Sequence, residues 1–199
     1  MDYIHDDEIR RIVSRVLDQT LGYPATAAPA EGPDTKAEPA PAAQCRQPGR
    51  SVVAIGADHG GFELKEILKR ELAAAGLDVI DAGTHSKEAV DYPDFAHEVA
   101  VLVGAGKAGR GIIIDGAGIG SCIVANKVPG VRAGLAYDHA SAANSRAHND
   151  TNVLTLGAGL IGVNLARQIV HTWLSTAFEG GRHDRRIEKI TAVEKQYLR

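Results

Sequence analysis

From Ser51 onward the apolar residues switch repeatedly between short β-branched runs and stretches of helical period, and that alternation leaves few folds open. Strands are predicted at 52–57, 78–82, 111–114, 131–136 and 153–156, and helices near 61–75, 93–105, 119–127, 139–147, 162–176 and 183–197. Strands joined by whole helices run parallel, since an antiparallel return needs only a turn, and a parallel sheet is covered on both faces. Ligands of such sheets bind beyond the carboxyl ends of the strands. The polar residues just past those predicted ends are Asp58, His59, Asp91, Tyr92, Asp115 and Tyr137 to His139.

The third strand empties into Asp115-Gly116-Ala117-Gly118-Ile119-Gly120, where every second residue is glycine, and Ser121 to Lys127 then begins a helix. Glycine lets the backbone approach a ligand, and the free N–H groups at a helix start favour negative charge, whether a phosphate or a developing oxyanion. The spacing is neither the dinucleotide fingerprint nor a Walker A loop, because no Gly-Lys-Ser/Thr follows.

A chain of 199 residues, 44% of them hydrophobic, accommodates one domain of about 150 residues plus an appendage. A net charge of −3 without a basic block gives no electrostatic reason to expect nucleic acid or an anionic membrane as partner, so a small ligand is expected. Cys45 and Cys122 sit in unrelated contexts, which speaks against a structural disulfide and fits a reducing cytosol. No apolar run is long enough to span a membrane, and no secretory signal core is visible. No cluster shows metal-ligand spacing, and neither a metal nor a cofactor is expected.

Several motifs in order along residues 52–192 resemble the type B ribose-5-phosphate isomerases: Ala57-Asp58-His59-Gly60-Gly61-Phe62-Glu63-Leu64-Lys65, Asp91-Tyr92-Pro93, Gly116-Ala117-Gly118-Ile119-Gly120, Ala125-Asn126-Lys127, Ser145 to Asp150, and Glu179-Gly180-Gly181-Arg182-His183. The resemblance implies a Rossmann-like three-layer α/β sandwich with a five-stranded parallel sheet, a homodimer or dimer of dimers sharing its active sites, and metal-free aldose–ketose isomerisation of a phosphorylated sugar. Ribose 5-phosphate and ribulose 5-phosphate lead on family grounds. Isomerisation of a six-carbon sugar phosphate, or a catalytically weak or inactive homologue acting as a sugar-phosphate-binding or structural cargo protein, are the alternatives.

Aldose–ketose isomerisation needs ring opening, a base over the carbon and donors for a cis-enediolate. By resemblance, Asp58 and His148 handle ring opening and Asn149 holds sugar hydroxyls. The backbone of Gly116, Ala117, Gly118, Ile119 and Gly120 forms the anion hole. Tyr92 lines the substrate site, and His59, Arg182, His183 and Arg186 take the phosphate. Arg182 and Arg186, four apart, can share one helical face and suit bidentate phosphate contact.

Three departures from the family pattern matter. Many members carry a catalytic cysteine at the position of Asp115, and another branch a glutamate at that of Ser121; here Asp115 is the one candidate base at this place in the loop. Ala117 stands where a Thr or Ser hydroxyl is usual, and Gly159 where an arginine commonly reaches phosphate. Cys122 lies seven residues past Asp115, within the next helix, and reads as packed core.

Residues 1–22 and 23–50 form two further segments ahead of the isomerase domain at 51–199. Ile9, Ile12, Val13, Val16, Leu17 and Leu21 recur at helical spacing over 6–21, opposite Arg10, Arg11, Arg15, Asp18 and Gln19, and Gly22 and Pro24 stop the helix. Residues 23–50 hold six of the chain's eight prolines and few large apolar side chains, the composition of a disordered linker. A tethered amphipathic helix on a metabolic enzyme resembles the encapsulation peptides that direct cargo into bacterial microcompartments, with a shell protein as partner. Acidic residues at 2, 6, 7, 8 and 18 argue against a membrane surface.

Overall fold

The computed structural model describes residues 52–197; the N-terminal helix and linker expected at 1–22 and 23–50 lie outside the described residues. The chain order is β1 (Val52–Ala57), α1 (Phe62–Ala74), β2 (Asp78–Asp81), α2 (Tyr92–Gly104), β3 (Arg110–Asp115), α3 (Ile119–Ala125), β4 (Ala133–Leu135), α4 (His139–Ala147), β5 (Val153–Gly157), α5 (Val163–Ser175), a 3-10 turn (Gly181–His183) and α6 (Asp184–Tyr197). The five strands form one parallel sheet in the order β2-β1-β3-β5-β4. The α/β class and the five parallel strands follow the expectation.

Alternation along the strands divides the core into two layers. Ile112 and Ile114 face α1, α4 and α5, packing with Leu64, Leu68, Ala142, Ile169 and Trp173, while Ile113 faces Ala96, Val99 and Ala100 of α2 and Ala125 of α3. β3 is thus apolar on both faces, as the central strand of a covered parallel sheet must be. The Trp173 indole N–H, fully buried, donates to the Thr151 hydroxyl at 2.9 Å and so leaves no polar atom orphaned.

The predicted strand at 131–136 shrinks to three residues. The Arg132 N–H donates to Asn152 Oδ1 at 2.7 Å instead of joining the ladder, and Val131 N–H closes a turn on Val128 O. The chain runs from β1 outward to β2, then crosses back to β3 on the other side of β1. This reversal opens a crevice beyond the carboxyl ends of β1 and β3, the position where such sheets bind ligands.

Candidate active site

Two groups of side chains emerge, one at each edge of the sheet. Beyond the carboxyl ends stand Asp58, His59 and the loop from Asp115. Asp58 is 9% exposed; its N–H donates to Ile114 O and its Oδ1 accepts from Gly61 N–H at 2.9 Å, which holds the carboxylate over the start of α1. The strand end beneath it is fixed by a buried charge network. Lys65, fully buried, pairs with Asp81 at 2.6 Å, and Asp81 also accepts from Gly83 N–H at 3.0 Å. Gly83 and Thr84 in turn exchange backbone hydrogen bonds with Ala57, both at 2.7 Å. Burial alone would raise the Asp81 carboxyl, but Lys65, Lys69 and the Gly83 N–H overrule it and hold its pKa at about 2.

The glycine loop wraps around Asp115. This carboxylate is 4% exposed, and its Oδ1 accepts from Ala117 N–H at 2.7 Å and from Gly118 N–H, while Oδ2 accepts from Ser121 N–H at 3.1 Å and from the Ser121 hydroxyl. The donors of Ala117 and Gly118, expected to be free for a substrate anion, are therefore held by the protein's own carboxylate. A loop that must fold back on a short side chain brings its N–H groups onto that side chain first. Gly118 has φ +77°, and a Cβ there would stand 2.6 Å from Leu135 Cδ1 and 2.9 Å from the Leu156 carbonyl carbon, so the tight approach demands glycine.

Around the loop, a Cβ on Gly120 would meet the Tyr92 hydroxyl at 2.6 Å, so the Tyr92 ring lies directly against the loop. The Tyr137 hydroxyl donates to Ala117 O at 2.9 Å. His59 is exposed and tied through Nδ1 to the backbone of Val90. Cys122 is only half-buried, not packed core: its thiol donates to Ala133 O at 3.5 Å, and burial pushes the thiol pKa up.

At the opposite edge, α4 returns from β4 and ends at His148, which caps it. Asn152 bonds the entry to β3 through Gly111 N–H and the entry to β4 through Arg132, so residues 148–152 lie at the amino edge. Glu179 N–H donates to Ala147 O at 3.0 Å and carries the Arg182-His183 turn to the same place. The His148 and His183 rings stack with centroids 4.3 Å apart and planes within 5°. His183, expected at the phosphate, is 4% exposed beneath His148. Arg182 and Arg186 flank the pair and leave it within an electropositive surface. Asp150, at φ +44°, pairs with Arg132 and Arg146, so the His-Asn-Asp run also closes the helix end.

Glu179 is the residue that sequence reasoning quoted without a role. Its carboxylate stands 3.4 Å from His148 Nε2 and 3.9 Å from His183 Nε2. The signal was its spacing, four residues before His183. Donor atoms of His148, Glu179 and His183 lie within 4.8 Å of one another, a grouping that only the fold assembles. The parallel rings keep their lone pairs side by side, and Arg182 donates to His183 Nε2 at 3.2 Å, so the set suits proton handling better than metal binding.

The family model described as Ribose/Galactose Isomerase matches residues 53–190. The chain is 47% identical over 144 residues to the ribose-5-phosphate isomerase B of Escherichia coli, covering 72% of this chain and 97% of that protein. It is 43% identical over 145 residues to the D-erythrulose-4-phosphate isomerase of Pectobacterium atrosepticum, covering 72% of this chain and 95% of that protein. Among solved structures, the ribose-5-phosphate isomerase B of Clostridium thermocellum superposes with a TM-score of 0.73 at 49% identity, covering 73% of this chain and 99% of that one.

Proposed function

The chain belongs to the ribose/galactose isomerase family of sugar-phosphate isomerases, and on that premise we propose that it interconverts ribose 5-phosphate and ribulose 5-phosphate through a cis-enediolate. The observation that carries the reading is the pair of buried carboxylates, Asp58 and Asp115, at the β1/β3 crevice, with Asp115 inside a glycine loop of N–H donors. Asp58 and His148 open the sugar ring, Asn149 holds hydroxyls, and Asp115 takes the proton next to the carbonyl. When Asp115 becomes a neutral acid, the negative charge passes to the enediolate oxygen. The N–H groups of Ala117 and Gly118 follow that charge from the carboxylate to the substrate.

His148, Asn149, Arg182 and Arg186 lie at the amino edge, away from Asp58 and Asp115. A complete site therefore calls for a second copy, whose amino-edge group meets this chain's carboxyl-edge group. Support comes from α6, none of whose residues is buried and which exposes Ile190, Val193 and Tyr197. The phosphate is then taken by Arg182, Arg186 and His59.

The test is NMR in D2O with ribose 5-phosphate. Formation of ribulose 5-phosphate with deuterium at the transferred carbon supports the reading. No product and no exchange overturns it and moves the search to six-carbon sugar phosphates. The erythrulose 4-phosphate of the Pectobacterium relative is the four-carbon substrate to run beside them.

The proposal extends to recruitment as microcompartment cargo. The family match begins at residue 53, and the segment ahead of it pairs a helical apolar stripe at 6–21 with a Pro/Ala-rich stretch. Such a stripe is too short to be stable alone and gains by docking on a shell protein. Residues 1–24 fused to a fluorescent protein and co-expressed with shell proteins should give foci; diffuse fluorescence around well-formed shells would refute targeting.

A further inference from the structure

The stacked imidazoles pose a question that ring opening by His148 does not answer: what decides which ring carries the proton. Two imidazolium ions stacked 4.3 Å apart repel each other, so a proton on one ring disfavours a proton on the other. His183 is the disfavoured holder. Burial, and then the charges of His148, Arg182 and Arg186, push its imidazole below the ordinary histidine range, against the pull of Glu179. Arg182 Nε–H also donates to His183 Nε2, which leaves that nitrogen an acceptor without a proton. His148 differs on each count. Its side chain is 34% exposed against 5% for His183, its Nδ1 meets the Asn144 amide at 3.0 Å, and its Nε2 lies nearer to Glu179. Of the remaining charges at this edge, Arg132 and Arg146 both pair with Asp150, and Arg110 lies beside them over the Trp173 ring.

We propose that Glu179 is a positioning residue that fixes the single proton of the stacked pair on His148, the ring that meets the sugar. The inference rests on the ring-opening role given to His148 under the proposed function. In that step the C1–O4 bond of the furanose breaks and its electron pair stays on O4, which takes the His148 proton. The anomeric hydroxyl gives its proton to Asp58 as the aldehyde forms. Without the carboxylate, the pair holds its proton less firmly and the alkaline limb of ring opening moves to lower pH.

Ribulose 5-phosphate provides an internal control. Its O5 carries the phosphate, so it has no five-membered ring, and deuterium wash-in at C1 reports the enediolate step without ring opening. Glu179→Gln in the full chain is expected to slow consumption of ribose 5-phosphate about two- to fivefold, the range for an ion pair open to solvent. The alkaline limb of kcat/KM should fall to lower pH, and wash-in to ribulose 5-phosphate should be unchanged. Glu179→Asp should recover part of the loss. Equal losses in both assays would overturn the proposal in favour of a general structural role, and an unmoved alkaline limb would overturn it outright. His148→Ala separates the two levels of argument. If it slows ribose 5-phosphate selectively while Glu179→Gln does not, this inference alone fails; if it spares ribose 5-phosphate, the ring-opening reading fails and takes the inference with it.

Discussion

Replacing Asp115 with asparagine tests whether this carboxylate is part of the loop's scaffold. Four donors converge on it: the N–H groups of Ala117, Gly118 and Ser121 and the Ser121 hydroxyl. An asparagine keeps one acceptor oxygen for the first two, now as neutral bonds worth about 1 kcal/mol less each. Its NH2 would face the other two. The Ser121 hydroxyl can rotate and accept, but the Ser121 N–H is left without a partner in a buried place, at about 1–3 kcal/mol. Relief of the buried charge returns about 1–2 kcal/mol. The net is a destabilisation of about 2 kcal/mol, or roughly 4–8 °C in Tm for a domain of this size. Differential scanning calorimetry of Asp115→Asn against the parent at one protein concentration measures it. A Tm within a degree of the parent, or above it, would refute the scaffold argument. Loss of turnover in this variant follows from either a missing base or a collapsed loop, so Asp115→Cys is the companion. A thiol restores the family's base without restoring the four hydrogen bonds; activity regained at a lowered Tm would separate the two roles.

Three further outcomes are expected. Gly118→Ala forces a side chain into φ +77° and against the Leu156 backbone, so it should cost at least about 1–2 kcal/mol and reduce kcat, read by urea denaturation and steady-state kinetics. Gly159→Arg should fail to improve KM for ribose 5-phosphate: its Cβ would stand 3.0 Å from Gly116 O and displace the loop, and a lowered KM with unchanged kcat would contradict this. Asp81, held at about 2 when folded against 3.8 in its ordinary state, contributes stability that is full above pH 4 and is lost as pH falls toward 2. That linkage is worth about 2 kcal/mol, and in acid titrations followed by circular dichroism the gap between the parent and Asp81→Asn should close across this window.

The parallel sheet was legible because β-branched runs and helical periods cannot exchange places without exposing apolar faces, and the strand ends pointed to Asp58, Tyr92 and Asp115 for the same reason. Short elements were less legible. The predicted 131–136 strand lost half its length to an Asn152 side chain about twenty residues away, a partner that no local pattern marks. The residue types of the loop were legible, but not the partner its donors take: folding turns the N–H groups of Ala117 and Gly118 onto Asp115, the nearest anion.

By itself the sequence determined the architecture and the family, since periodicity and motif spacing are properties of the chain alone. Tertiary structure decided the rest: that His148 stacks on His183 with Glu179 beside both, that Lys65 is buried beneath the Asp58 strand end, and that the predicted site residues divide between two edges of one sheet. The histidine stack depends on a return helix and a crossover that join residues more than thirty positions apart. Distance along a chain carries no information about distance across a sheet until the strand order is known.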